Sequence, residues 1–421
     1  MQRKTKFLIS GLVILTLVAI SGGAVLLAYR LLANPLFVFG FNSPPMPPAL
    51  EKPRIVTGAT FLTRSEFFRT KTGLFGEIFG SGIGDINDIA VGELDSHPGI
   101  DIVVAGDEGA VVLDHNGIQQ SEVRYKFQIE RKKRGPFEST RTYSSLGDMQ
   151  IVDLKSDGMC EYLARGGVDG GAIFDHHGNL LWSYGRYTKE KPSLHDITVG
   201  DLNGDGGSEF VVSWNGLEAF DMHGNRIWER PARFGPSQIE IVDTDGDGKK
   251  KIVSIGSQLT IRDASGNELK SIDSPAGYVG KFSLCTPPNK NTPNILAVND
   301  GRLWLLDFDG QVVAKFDAPL SDFPDVVQTT PFGASGTSVY KAKGAWIRLA
   351  QAQPEYLAVI AYFVALDRSI LYVYEPSGKI VYQEILPEES TSIAVLPADR
   401  NDGVQELLVG GSKTIWRYKA L

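Results

Sequence analysis

Residues 197–213 read ITVGDLNGDGGSEFVVS: an apolar strand ending at an acid, a loop of Asp, Asn and Gly, then a second apolar strand. Short apolar runs bounded by Gly and Asp clusters are strand and turn signals. The pattern recurs along the chain. IAVGELDSHPGIDIVVA begins at Ile89, MQIVDLKSDGMCEYLAR at Met149 and IEIVDTDGDGKKKIVSI at Ile239. Weaker copies are FSLCTPPNKNTPNILAV from Phe282, IRLAQAQPEYLAVIA from Ile347 and IAVLPADRNDGVQELLV from Ile393. The first loop residue falls at Glu93, Asp153, Asp201, Asp243, Thr286, Gln351 and Pro397, with spacings of 60, 48, 42, 43, 65 and 46.

A second pattern follows in every unit but the last: strand, Asp-x-x-Gly, strand. The copies are Asp114–Gly117, Asp175–Gly178, Asp221–Gly224, Asp263–Gly266, Asp307–Gly310 and, with Glu for Asp, Glu375–Gly378. Asp at the start of such a turn accepts backbone N–H groups, and Gly three residues on supplies φ > 0. Each unit therefore reads as four short strands; unit three would use Asp196–Leu202, Phe210–Trp214, Leu217–Met222 and Arg226–Arg230. Four-stranded repeats of roughly 40–45 residues are blades of a β-propeller. The expected fold is all-β, a seven-bladed propeller over residues 61–421. The last unit ends at Trp416–Lys419 after three strands, so a segment before the first unit, Gly76–Gly80, is expected to close the ring. A β-solenoid is the rival architecture and needs no incomplete final unit.

GDLNGDGGSEFVV (Gly200–Val212) resembles the FG-GAP/VCBS repeat of integrin α-chain propellers and many bacterial surface proteins. The stretch Ala219–Trp228 is similar to quinoprotein-like propeller repeats. The resemblance runs through residues 85–421 as a pattern and is most specific at units three and four. It implies a propeller and a calcium ion in the acidic loop. The residues of that loop suit a hard cation in their own right. Asp201, Asn203, Asp205 and Glu209 offer side-chain oxygens at positions one, three, five and nine, with the Gly207 carbonyl at seven. The alternative is a polar turn whose acids cap local N–H groups. Unit four keeps Asp243, Asp245 and Asp247 but has Lys251 at the ninth position. Unit two has Lys155 at the third position, where an ammonium can take the cation's place, and unit one offers Glu93, Asp95, His97 and Asp101. These ions would be structural.

The chain has 421 residues, with 42 Lys and Arg against 50 Asp and Glu, a net charge of −8. That balance argues against non-specific nucleic-acid binding, which needs cations to displace counterions. Two cysteines, Cys160 and Cys285, cannot make a disulfide scaffold or a cysteine zinc site, and three blades apart they are too distant to pair. At the N-terminus, Arg3, Lys4 and Lys6 precede 23 uncharged residues, Phe7 to Tyr29. About 20 apolar residues span a bilayer as a helix, and the basic flank keeps its end cytoplasmic. Residues 1–30 are thus expected to be a single-pass transmembrane anchor; a cleaved signal peptide is the alternative. Residues 31–60, with five prolines between Asn42 and Pro53, read as a stalk. The propeller is then extracytoplasmic, periplasmic or on the cell surface.

His115, His176, His177 and His223 all lie in Asp-x-x-Gly turns, where the ordinary reading is a surface residue. Long insertions, one with Arg131-Lys132-Lys133-Arg134 and one over Leu320–Ala345, are places where partner specificity can be added. No Gly-x-Ser-x-Gly, His-Glu-x-x-His or Walker loop occurs. The functional expectation is a membrane-anchored binding module for a protein or a glycan. The alternatives are a propeller enzyme acting on polysaccharide or using a quinone, and a scaffold of an envelope assembly complex.

Overall fold

The computed structural model describes residues 53–421 apart from 71–81, 95–98, 185–193, 274–281, 320–338, most of 126–145, and short gaps at 156, 167–169, 233–234, 256–257, 288–289, 300–301, 351–353, 364–365, 367 and 399–402. Among the described residues seven antiparallel sheets of four or more strands follow one another along the chain, six of four and one of five, with two two-stranded ribbons between the first and the second. Blade one runs from its inner strand Ile86–Gly92 to its outer strand Gln119–Val123. Blade two spans Gly147–Val152 to Leu180–Tyr184, blade three Asp196–Gly200 to Arg226–Pro231, and blade four Gln238–Asp243 to Glu268–Ile272. Blade five spans Ser283–Cys285 to Val312–Asp317 and blade six Val339–Ile347 to Ile380–Ile385. Blade seven has Ser390–Leu396, Glu406–Gly411 and Thr414–Ala420 in sequence order.

Strand periodicity builds the ring. Successive side chains of a strand point to opposite faces. On the second strand of blade three, Glu209–Ser213, Phe210 and Val212 pack with blade two while Val211 packs with blade four. Both faces are covered, so the strand reads as an unbroken buried run. Seven apolar clusters result, one at each blade junction, including that between blade seven and blade one.

The Asp-x-x-Gly turns interlock the outer rim. Asp175 Oδ1 accepts the N–H groups of His177 and Asn179, and Gly178 sits at φ +82°. A Cβ on Gly178 would lie 2.2 Å from Val123 on the outer strand of blade one. Likewise Trp228 of blade three packs over Gly266 of blade four, and its indole N–H donates to the Ala264 carbonyl at 2.9 Å. The glycine is thus required twice, for its backbone conformation and for the neighbour's side chain.

Ring closure uses a different segment from the one expected. Gly76–Gly80 lies outside the described residues. The fourth strand of blade seven is Leu62–Arg69, antiparallel to Thr414–Ala420, with Thr63 opposite Lys419. Arg64 on this strand reaches the fully buried Glu384 of blade six at 2.8 Å, and the hydroxyls of Tyr382 and Tyr418 donate to the same carboxylate at 3.0 and 2.7 Å. Burial raises the Glu384 pKa above the ordinary glutamate value against these partners. Arg54–Thr57, inside the stretch read as stalk, pairs with Ile380–Ile385 as a fifth strand of blade six. Likewise Val339–Ala345, read as part of an insertion, belongs to the inner strand of blade six. The proposed anchor, Phe7 to Tyr29, is outside the described residues; among those described, no helix is long and apolar enough to cross a membrane.

Candidate functional site

The inner strands start at one mouth of the central channel and end at the acidic loops. A cavity of about 500 Å³ opens at the starting end, lined among others by Asn87, Asp148, Arg165, His195, Gln238 and Lys343. Two ion clusters frame it. Lys343 of blade six reaches past blade seven to Asp88 Oδ1 of blade one at 2.9 Å and Asp148 Oδ1 of blade two at 3.3 Å. Asp148 is the extra residue of an irregularity between Gly147 and Met149 and has φ +45°, the one positive value among described non-glycine residues. A bulge of this kind re-aims a side chain, here into the channel. Asp88 Oδ2 also accepts the Met149 N–H at 2.8 Å.

The second cluster joins blades two, three and four. Arg165 lies 2.7 Å from Asp196 Oδ1 and 3.4 Å from Glu240 Oε1. Asp196 Oδ2 accepts the Ile239 N–H at 2.7 Å. Burial outweighs the Arg165 guanidinium, and with Glu240 nearby the Asp196 carboxyl is pushed up to about 7. Neutral side chains repeat the stapling. Gln150 bonds both the N–H and the carbonyl of Val199, and Gln238 does the same to Phe282. These cross-blade bonds satisfy backbone groups that the channel would otherwise leave unpaired. Lys341 at the rim pairs with Glu389. Each of the two clusters therefore sets one cation against two carboxyl groups.

Of the mouth residues only His195 stands out in the sequence, as a histidine bordering an acidic loop. The available signal is a polar residue interrupting an apolar inner strand, as with Asp88 in INDIAVG or Gln150 in GDMQIV. Lys341 and Lys343 fell in the stretch read as an insertion.

The loops read as metal sites lie at the far end. In unit three, Asp201 accepts the N–H groups of Gly204 and Gly206, Asn203 Oδ1 that of Asp205, and Asp205 Oδ1 that of Gly207. Glu209 Oε2 accepts Leu202 N–H at 2.9 Å and Asn203 N–H at 3.3 Å, and Asn203 Nδ2 donates to Glu209 Oε1. Burial, with Asp205 and Asp201 nearby, raises the Glu209 pKa. The one described group of three converging acids is Asp243, Asp245 and Asp247 of unit four. There Lys251 Nζ sits 2.6 Å from Asp245 and 3.6 Å from Asp247, in the place a cation would take. In unit two, Lys155 pairs with Glu161 at 3.3 Å. Cys160 and Cys285 are both free thiols, and burial pushes Cys285 up to about 12.

The outer rim carries a further regularity. In blades one to six the outer strand has one extra residue just after the Asp-x-x-Gly turn: Gln120, Leu181, Ile227, Leu269, Val313 and Val381. In blades two to five that residue is aliphatic and exposed, by 44, 51, 56 and 50%. In blade six Val381 is half-buried and, like Ile55 and Phe61, packs against the core between blades six and seven.

No family model and no curated protein matches the chain. Solved structures do. The chain is similar to BBS1N, crystallised in complex with ARL6DN and soaked with lead: TM-score 0.52, 11% identity, 85% of this chain and 96% of that one covered. A mercury-soaked crystal of the same complex gives 0.51 and 13%, over 80% and 93%. The WD40 β-propeller domain of Doa1 gives 0.50 and 9%, over 85% and 97%. The fold is a seven-bladed β-propeller. At these identities the likeness concerns the fold alone.

Proposed function

We propose that this chain is a membrane-anchored, extracytoplasmic propeller that binds another protein through its rim. The observation that carries this reading is the aliphatic band Leu181, Ile227, Leu269 and Val313, held at equivalent exposed positions on four successive blades. Among the described residues, the exposed large hydrophobic side chains include no aromatic ring. A sugar-binding face stacks aromatic rings on pyranose faces, whereas aliphatic side chains suit the apolar side chains of a protein. The neighbour BBS1N, crystallised with ARL6DN, is a propeller of this shape in complex with a protein, which supports the reading by analogy of fold. A photo-crosslinking residue placed at Ile227 or Leu269 of the full chain in its native membrane tests it. The expected result is one discrete protein adduct. Retention on cell-surface polysaccharide with no protein adduct contradicts it.

The membrane reading rests on the uncharged run Phe7 to Tyr29 and its basic flank. A cysteine introduced at Ser43 should react with an impermeant reagent on intact cells; labelling only after lysis contradicts the topology. The repeat type we propose is FG-GAP/VCBS-like, with a structural Ca²⁺ held by Asp201, Asn203, Asp205, Gly207 and Glu209. The donor set is all oxygen, as Ca²⁺ requires. Unit four, with Lys251 on its acids, fits an internal salt bridge better than an ion. A ligand at a hundredfold excess over Kd stabilises by about 2.7 kcal/mol. The protein should therefore melt higher in calcium than in chelator, and Asp205→Ala should shrink the gap. Equal melting in both contradicts the calcium site.

A further inference from the structure

The residue just before each Asp-x-x-Gly turn faces the preceding blade and fills the junction with it. It is Leu113 in blade one, Phe174 in blade two, Phe220 in blade three, Leu306 in blade five and Tyr374 in blade six, each packed in the apolar cluster between its own blade and the one before. In blade four it is Arg262. A second position on the same face, on the neighbouring strand, is Val104, Ala164, Val212, Ala297 and Val359 in those blades and Ser254 in blade four. Alternation puts Ser254 and Arg262 on the side of blade three, because Leu259 and Ile261 pack with blade five and Ile252 with blade three. Where one repeat breaks the packing rule that the others keep, a functional site is the expected cause.

The junction of blades three and four holds a cleft of about 840 Å³, the size of an ordinary ligand pocket. Ser254, Thr260, Arg262 and Ser271 line it from blade four, and Leu217 and Arg230 from blade three. Arg262 Nη1 donates to Ser254 Oγ at 2.9 Å, and the half-exposed carboxylate of Glu268 lies 3.6 Å from Nη2. Burial holds the Arg262 guanidinium below the usual arginine range, and Glu268 offsets this only in part. Arg230 donates to neutral oxygens, the carbonyls of Glu229 and Ser265 and Asn267 Oδ1. Among the described residues no carboxylate stands within hydrogen-bond distance of either guanidinium. The junction also lies between Ile227 of blade three and Leu269 of blade four, two members of the exposed aliphatic band.

We propose that this cleft is a carboxylate-binding site, which takes an acidic side chain of the partner protein while aliphatic side chains beside it lie on Ile227 and Leu269. The proposal rests on the protein-binding reading above and names the residue type that the partner presents. A guanidinium is a planar fork of donors that matches the paired oxygens of a carboxylate, and the pairing strengthens where water is partly excluded. The Thr260 hydroxyl lies in the same cleft as a further donor.

The test uses the purified full chain and two blocked tripeptides, acetyl-Leu-Glu-Leu-amide and acetyl-Leu-Gln-Leu-amide, with binding read by saturation-transfer NMR. The first should bind at least about tenfold more tightly than the second, the worth of a hydrogen-bonded charge. Arg262→Phe, which restores the residue type of blades two and three, should abolish that preference and melt no lower than the wild type. Arg262→Lys keeps the charge without the fork and should retain only part of the preference. Equal binding of the two peptides, or binding of neither, overturns the proposal. Tighter binding of free glucuronate than of the glutamate peptide assigns the cleft to an acidic glycan, and tighter binding of inorganic phosphate assigns it to a phosphate group; either overturns it. A marked fall in melting temperature on Arg262→Phe would show that the arginine holds the junction itself, and overturns it too. A photo-crosslinking residue at Leu269 separates the proposal from the reading beneath it. An adduct undiminished in the Arg262→Phe chain removes the cleft and leaves the protein-binding reading standing, whereas no adduct in the wild-type chain removes that reading whatever the peptides do.

Discussion

Blades two to four and blades six to seven are the same architecture made in two ways. Blades two, three and four each take all their strands from one continuous stretch, and their junctions pair neighbours in sequence. Blades six and seven are completed from the far end of the chain, by Arg54–Thr57 and Leu62–Arg69. Where the ring is local, its cohesion comes from turns received by the next blade, as Gly178 receives Val123 and Gly266 receives Trp228. Where it is non-local, cohesion comes from a buried charge network, Arg64, Glu384, Tyr382 and Tyr418. A propeller thus repeats what each blade needs from its neighbour and improvises where the chain must meet itself.

The largest effect is expected at the improvised junction. Arg64→Ala leaves Glu384 without its cation in a site of zero exposure, and breaking such a pair costs about 3–5 kcal/mol. Denaturant unfolding should show the loss, and Arg64→Met with Glu384→Gln should recover much of it. A loss below ~1 kcal/mol would break the contrast between the two regions.

Next comes the repeated junction. Gly178→Ala places a Cβ 2.2 Å from Val123 and forces a non-glycine residue to φ +82°, together costing about 2–4 kcal/mol. Gly158, at the same φ with no atom within 4 Å, is the matched control and should cost only the conformational part, about 1 kcal/mol. Equal melting shifts for the two would mean that the neighbour's side chain contributes nothing.

The pH dependence sharpens the comparison within the channel. Asp196 titrates near 7 when folded against an ordinary 3.8, so the folded state holds this proton more tightly. Its contribution is fully present below about pH 3.8 and is lost as pH rises through 7, by up to about 4 kcal/mol. Asp196→Asn should remove that slope, so stability curves of the two proteins should diverge between pH 4 and 7. Parallel curves would mean that the Arg165 guanidinium keeps the carboxyl ionised throughout.

The smallest effect is expected from Lys343→Met. The lysine is one-third exposed and Asp148 nearly half, and the buried Asp88 keeps the Met149 N–H as a partner, so a loss of about 1 kcal/mol is expected in unfolding experiments. A loss like that of Arg64→Ala would make the channel cluster a principal staple of the ring.

The difference between the regions also explains what was legible. Unit three was readable nearly to the residue, because strand, loop and Asp-x-x-Gly turn are each short-range devices with fixed residue types. The expected strand Arg226–Arg230 ends at Pro231. The closing strand was misplaced because LTRSEFFR carries no turn signal and its partner is some 356 residues away, so nothing local marks the pairing. The channel mouth was invisible for the same reason. Lys343, Asp88 and Asp148 come from three blades, and only closure of the ring brings them together. The acidic loops were found, but which acids converge depends on Lys251, whose side chain meets Asp245 and Asp247 in unit four, whereas Glu209 of unit three turns to the backbone.

Closure by residues 62–69 is the claim on which the junctions, the channel and the rim all depend, and a cross-strand disulfide tests it directly. Thr63 and Lys419 face one another across the last blade. In a background with Cys160→Ser, the pair Thr63→Cys and Lys419→Cys should oxidise to an intramolecular crosslink visible as a mobility shift. It should also raise the melting temperature, since closing so long a loop is worth up to roughly 5 kcal/mol in the chain-entropy account. The matched pair Ile78→Cys and Lys419→Cys should stay reduced. A crosslink through residue 78 with none through residue 63 would place the closing strand where the sequence pattern first suggested it and contradict this account of the ring.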